Sequence, residues 1–298
     1  MNILVTGATG FVGKNLIPKL ISSGHQLLEI TVEEEVSRKL YGNKINRLSY
    51  KNCEHNILVE QINEFKPETV IHLASYLTSS DNYEDLLKLV SANIVFFLDI
   101  LDSIKYNPPK LFINTGTFAE YFLNDEALDP AYIYAATKTS SRYLLKYYSG
   151  AYGFKGVTLV PFSIYGPNDS QKKMIDYLID AVDSPLPIDF SAGEQVLDFI
   201  HVNDIAEAYI SLLKNYHIMA NNETFFAGTG KGISVRELAV MIEEISGKKL
   251  NVIWGGRAYR NRDIMKAIAP LKKNNNRISW KASVDIKNGL IEKLKDIK

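Results

Sequence analysis

The chain opens with Asn2-Ile3-Leu4-Val5-Thr6 and runs directly into Gly7-Ala8-Thr9-Gly10-Phe11-Val12-Gly13. The first five residues are a compact apolar run that reads as a β-strand. From Phe11 onward apolar residues recur at helical spacing (Phe11, Val12, Leu16, Ile17, Leu20, Ile21), which predicts a helix over Phe11–Ser23 ended by Gly24. Glycines at a strand-to-helix turn tighten the turn, admit a phosphate close to backbone N–H groups, and let the helix pack against the sheet. The amino end of such a helix carries unpaired N–H groups and the positive end of its dipole, which suits a pyrophosphate. Strand, glycine turn and helix in this order start a dinucleotide-binding α/β unit.

The alternation continues outward from there. Gln26–Val32, Glu68–Ala74 (introduced by Pro67), Lys110–Asn114 and Gly156–Pro161 are expected as strands. Glu84–Ile104, closed by Pro108-Pro109, and Tyr134–Tyr152, ended by Gly153, are expected as helices. Short all-apolar strands alternating with helices imply an α/β, doubly wound parallel sheet covered on both faces, a Rossmann arrangement. After Tyr165 turn-rich segments separate shorter elements. Asp198–Val202 and Thr224–Ala227 read as strands, and Ser234–Ser246 as a helix whose Ser234 and Glu237 form a capping box. Lys272–Asn276 reads as a solvated loop. Residues 1–162 with about 190–227 are expected to form the cofactor domain, and about 163–189 with 228–298 a smaller interleaved α/β substrate domain.

In 298 residues, 34 basic side chains balance 34 acidic ones, so a protein devoted to nucleic acid or to an anionic membrane surface is not expected. The single cysteine, Cys53, excludes an internal disulfide framework, and the five histidines show no ligand spacing, so no metal is expected. The longest apolar stretches are too short to span a bilayer; Ile94–Leu98 is stopped by Asp99. No cleavable leader pattern precedes the first strand, and a cytoplasmic location is expected.

Tyr134 and Lys138 are four residues apart, so on a helix the phenol and the ammonium share a face and can enter one site. A nearby cation favours phenolate; bringing a phenol from 10 to 7 takes about 4 kcal/mol. Tyr106 and Lys110 have the same spacing, but Pro108-Pro109 between them forbids a helix. The strand ahead of Tyr134 ends Asn114-Thr115-Gly116-Thr117 and so brings hydroxyls to the carboxyl edge of the sheet, where ligands bind in open α/β folds.

Taken in order, Gly7–Gly13, Val70–Ala74, Thr117 and the Tyr134/Lys138 pair resemble the extended short-chain dehydrogenase/reductase family, in its nucleotide-sugar epimerase/dehydratase/reductase branch. Tyr165-Gly166-Pro167 and Asp198-Phe199-Ile200-His201-Val202-Asn203-Asp204 resemble two further family segments. The resemblance implies Tyr134 as catalytic acid/base, Lys138 on the nicotinamide ribose depressing the phenol's pKa, and Thr117 holding the sugar oxygen. Around the cofactor, NADP or NAD, it implies Gly7, Thr9, Gly10, Phe11, Val12, Gly13, Thr31, Asn56, Ile57, Leu73, Ala74, Ser75, Asn93, Thr115, Pro161 and Ser163. Toward the nucleotide-diphosphate sugar it implies Thr78, Ser163, Lys172, Lys173 and Arg260.

Departures from the family pattern narrow the reaction. The family's 4,6-dehydratases carry Asp-Glu directly after the catalytic threonine; here Phe118 and Ala119 stand there, which excludes dehydration, and Glu120, one position late, is expected to face elsewhere. Thr31 ends the second strand where NAD enzymes usually carry an acid, which leans to NADP, although Glu33, Glu34 and Glu35 follow closely. Leu197 replaces an arginine that often meets the diphosphate. The expected activity is reduction of the keto group of a nucleoside-diphosphate 4-keto-6-deoxyhexose, for deoxysugar biosynthesis. The alternative is an NAD-dependent C4-epimerase, and the remote one a non-catalytic dinucleotide-binding protein. Surplus apolar residues on 84–104 and 134–152 predict a homodimer through those two helices.

Overall fold

The computed structural model describes residues 1–80, 82–125, 127–274 and 277–296. Its centre is a parallel seven-stranded sheet of β1 (Asn2–Thr6), β2 (Gln26–Thr31), β3 (Asn46–Ser49), β4 (Thr69–His72), β5 (Leu111–Thr115), β6 (Lys155–Pro161) and β7 (Glu223–Ala227). The spatial order is β7–β6–β5–β4–β1–β2–β3. The chain winds outward from β1 to β3, then crosses back to set β4 on the other side of β1. That reversal opens a crevice at the carboxyl ends of β1 and β4.

The central strands are largely apolar because both faces are covered. One face packs Ile3, Val5, Ile71, Ile113 and Leu159 under α1 (Phe11–Ser22) and a later helix; the other packs Leu4, Val70, Phe112 and Phe97. Between β2 and β4 lie α2 (Glu34–Tyr41) and α3 (His55–Phe65), which with β3 have too polar a pattern to stand out in sequence. Tyr83–Val90 and Phe96–Ile104 flank a π turn, Ser91–Val95, in one continuous helix, α4. It is followed by α5 (Ile133–Tyr152), ended by Gly153 in the left-handed conformation.

Of the apolar residues on α4, Phe96, Phe97, Ile100, Leu101 and Ile104 fill the core, whereas Tyr83, Leu87, Val90 and Val95 stay exposed; α5 likewise exposes Tyr143 and Tyr147.

Among the described residues the remaining α-helices are α6 (Met174–Asp180), α7 (Val202–Asn215), which packs on α1, α8 (Val235–Ser246) and α9 (Ile286–Asp296). The Ser234 cap forms as read: its hydroxyl accepts the Glu237 N–H at 3.1 Å, and the Glu237 carboxylate accepts the Ser234 N–H at 2.7 Å. A second core joins Tyr165, Leu178 and Phe190 to Leu238, Ile242 and Leu290. Two buried carboxylates tie late segments of the chain together. Asp198 accepts the N–H groups of Thr229, Gly230 and Ala269, and Asp204 those of Ser283 and Val284.

Two sequence expectations change here. The strand Phe199–His201 pairs with Ser163–Tyr165 in a separate ribbon rather than with the main sheet, because β7 fills the place beside β6. In Lys272–Asn276, Asn274 is buried, its amide bonded to both the N–H and C=O of Phe226 at 2.9 Å, so it completes the edge of β7. Asn275 and Asn276 lie outside the described residues. Among the described residues no helix is long and apolar enough to cross a membrane.

Candidate active site

The β1–α1 turn needs its glycines. Gly7 has φ +73°, and a Cβ there would come 2.6 Å from the Ala74 nitrogen; a Cβ on Gly13 would come 2.4 Å from the Gly7 and Ala8 carbonyls. Their absence lets the turn lie against β4 and the helix lie against the turn. Gly10 caps α1 with no side-chain acceptor, so the first helical N–H groups are left for a ligand. Gly7, Gly10, Phe11, Val12 and Gly13 line a cleft of about 730 Å³. Tyr41 supports the turn from beneath, donating to the Ala8 carbonyl at 2.7 Å. This cradle fits the pyrophosphate of a nicotinamide dinucleotide.

At the end of β2, Thr31 is buried and its hydroxyl accepts the Glu33 N–H at 3.0 Å. It is Glu33 that lines the cleft, its carboxylate taking the Thr9 hydroxyl at 2.6 Å. Two residues past the strand, this carboxylate occupies the place where the sequence pattern looked for an acid at Thr31.

Thr117, Tyr134 and Lys138 line the same cleft, all buried below a tenth exposed. The helix α5 sets Tyr134 and Lys138 on one face, and Thr117 follows β5. The Thr117 hydroxyl accepts the Ala119 N–H at 3.3 Å, which leaves its own hydrogen for another acceptor. Burial pushes the Tyr134 phenol up, with Ser75 hydrogen bonding opposing. Burial also brings Lys138 down to about 8, against the pull of Glu120. The sequence predicts that Lys138 lowers the phenol; burial instead raises it, and Tyr134 keeps its proton at neutral pH. The ring of Tyr132 stacks on that of Tyr134, centroids 5.9 Å apart.

Asn93 sits in the π turn of α4, buried behind this wall. Its carboxamide accepts the Tyr76 N–H at 2.8 Å and the Ser75 hydroxyl at 3.2 Å, and donates to the Tyr76 carbonyl and the Thr137 hydroxyl at 3.0 Å. It therefore braces Ser75 against α5 and does not line the cleft. Thr115 reaches the cleft, but its hydroxyl is spent on the His72 carbonyl and Tyr209.

Leu73, Ser75, Pro161, Ser163 and Lys173 also line the main cleft. Thr78, Lys172 and Arg260 line an adjoining cleft of about 760 Å³, with Arg257. The two share Tyr132, Lys173 and Leu197 as a common wall. Lys172 pairs with Asp180 at 2.6 Å and Lys173 with Asp169 at 2.8 Å. Ala74 packs against Gly7, and Asn56 and Ile57 lie exposed in the first turn of α3, lining neither cleft. Sequence reasoning missed the apolar wall of Phe118, Tyr132, Phe162 and Leu197. Glu120 faces away from the cleft as the sequence predicts, wholly buried beneath Thr117 and ion-paired to Arg142. Held so, Glu120 does not open onto the cleft.

A CDP-abequose synthase of Salmonella typhimurium strain LT2 is 31% identical, over 98% of this chain and 97% of its own. A dTDP-4-dehydro-6-deoxyglucose reductase of Escherichia coli is 22% identical, over 99% and 97%. The solved UDP-glucose 4-epimerase of Thermotoga maritima, with UDP-glucose, covers all of this chain and 98% of its own at 23% identity, TM-score 0.85. Residues 3–228, from the first strand through β7, match the NAD dependent epimerase/dehydratase family. On that match, which takes in the glycine cradle and the whole Thr117–Tyr134–Lys138 arrangement, the chain belongs to this family of NAD(P)-dependent enzymes.

Proposed function

We propose that the enzyme reduces the C4 keto group of a nucleoside-diphosphate 4-keto-6-deoxyhexose. The observation that carries this reading is the proton-bearing Tyr134 phenol, opening with Thr117 onto a wall of Phe118, Tyr132, Phe162 and Leu197. Ketone reduction needs a proton donor at the oxygen, and an apolar wall accepts a C6 methyl where a hydroxymethyl would lose its hydrogen bonds. The nicotinamide dinucleotide supplies the hydride. Thr117 and Tyr134 hold the keto oxygen, Tyr134 releases its proton to it, and Lys138 balances the phenolate left behind. The names of the Salmonella and Escherichia relatives support this direction of chemistry.

Lys172, Lys173, Arg257 and Arg260 are assigned to the sugar-nucleotide diphosphate, and the unit around the second core to the nucleotide sugar. The Glu33 carboxylate beside Thr9 suits a free ribose 2′-hydroxyl and repels a 2′-phosphate, which moves our cofactor preference from NADP to NAD. Nucleotide sugars and dinucleotides are cytoplasmic metabolites, and the enzyme is placed there, as a homodimer through α4 and α5.

The test is incubation with NADH or NADPH and CDP- or dTDP-4-keto-6-deoxyglucose. Consumption of reduced cofactor in step with product supports the reading. Interconversion of two UDP-hexoses without net consumption replaces it with C4-epimerisation. A wild type that prefers NADPH, unchanged by Glu33→Gln, removes the cofactor assignment.

A further inference from the structure

Glu120 and Arg142 have no assigned part in the reaction, yet they join its two halves. The Glu120 Oε1 accepts the Thr117 N–H at 2.7 Å and an Arg142 Nη2–H at 3.3 Å. Its Oε2 accepts the Arg142 Nε–H and the Thr139 hydroxyl, the latter at 3.4 Å. Arg142 also donates through Nη1 to the Thr224 hydroxyl on β7 at 3.0 Å, and lies 5.7 Å from the centre of the Tyr121 ring. Tyr134, Lys138 and Arg142 follow one another at intervals of four along one face of α5. The helix that carries the acid is therefore pinned, two turns on, to the carboxylate that fixes the Thr117 backbone.

Gly116 makes room for the pair. A Cβ there would fall 2.7 Å from Glu120 Oε1 and 3.0 Å from Arg142 Nη2. Stability alone is a weak reason for such an arrangement, because the desolvation of two buried charges offsets most of their attraction. Geometry is a stronger one: a misplacement of about 1 Å between reacting groups lowers a rate by about a hundredfold.

We propose that Glu120 and Arg142 are positioning residues, a buried clamp that keeps the Thr117 hydroxyl in register with Tyr134. The proposal rests on the reading of Thr117 as the hydroxyl that holds the substrate oxygen. Turnover of CDP- or dTDP-4-keto-6-deoxyglucose with NADH is measured for wild type, Glu120→Gln, Thr117→Val and the double variant. Glu120→Gln is expected to lower kcat about 10- to 100-fold with KM for NADH unchanged. In the Thr117→Val background, assayed well below pH 8 so that the lost pull of Glu120 on Lys138 does not enter, the same substitution is expected to lower it no more than about threefold, since no hydroxyl remains to be placed. Losses that simply multiply, or a lower melting temperature with kcat intact, overturn the clamp. Should Glu120→Gln not fold, Arg142→Lys, which keeps the charge and loses the fork, takes its place in the cycle with the same expected outcomes. Hydrogen exchange at the Thr117 amide is read alongside: faster exchange in the variant is expected, and unchanged exchange overturns the proposal whatever the substrate. That readout needs no turnover, so a wild type inactive on both sugars counts against the substrate assignment and not against the clamp.

Discussion

Replacing Tyr134 by phenylalanine removes the transferable proton and keeps the ring that stacks on Tyr132. A loss of at least about 10²-fold in kcat is expected, with cofactor binding little changed, measured by steady-state turnover and dinucleotide titration. Tyr106→Phe is the matched control: that tyrosine shares the spacing to a lysine but is 67% exposed at the end of α4, and it is expected to be silent. The pH profile follows from Lys138. Its cation is full below about 8, where burial has brought it, and is lost above. Since kcat/KM reports groups of the free enzyme, it is expected to fall with unit slope above about pH 8, while Tyr134, raised by burial, adds no limb near neutrality. A profile flat well beyond pH 8 removes Lys138 from the mechanism. The pairing of Tyr134 with Lys138 was legible because helical spacing is a property of sequence. The direction of the phenol's shift was not, because it depends on how much water the fold leaves at the ring.

At the scale of elements, Glu29 on β2 is the feature most exposed to test. It is buried, one oxygen takes the Ser37 hydroxyl, and the other has no partner. Burial raises its pKa above 4.5, the Ser37 bond opposing. The folded state then holds the proton more tightly than the unfolded chain, so its contribution is fully present below about pH 4.5 and is lost as pH rises through the folded value. Glu29→Gln removes the charge, and a gain on the order of 1 kcal/mol is expected at neutral pH, vanishing near pH 4, by urea unfolding at both. A gain independent of pH rules out the charge as its cause. The strand β2 is legible as Gln26–Val32 in spite of Glu29, whereas α2 and β3 are not legible at all: β3, Asn-Arg-Leu-Ser at the sheet edge, carries no apolar run. Where a local rule decides an element, as with Ser234 and Glu237 or Gly153, sequence and structure agree to a residue. Where a long-range bond decides it, as with Asn274 on Phe226 or the Phe199–His201 ribbon, pattern reading had nothing to act on.

For the whole molecule, the open question is what covers α4 and α5. The two helices pack side by side, and their outer face leaves Tyr83, Leu87, Val90 and Val95 exposed beside Tyr143 and Tyr147. The second core does not supply the cover: it is drawn from Tyr165–Phe199, Val235–Leu250 and Leu290. Exposed apolar and tyrosine side chains on neighbouring helices have the composition of an interface core. A second copy placed about a two-fold axis would set the four helices against one another and close as a dimer. Sedimentation equilibrium at micromolar concentration is expected to give twice 33.6 kDa, and a monomer mass defeats the proposal. Leu87→Asp and Tyr147→Asp are the diagnostic substitutions, since both side chains lie outside the core; Phe97, also on α4, is wholly buried between His72 and Phe112, and a charge there would unfold the chain instead. Dissociation by either surface aspartate with the fold retained by circular dichroism locates the interface on these helices. A dimer that survives both places it elsewhere.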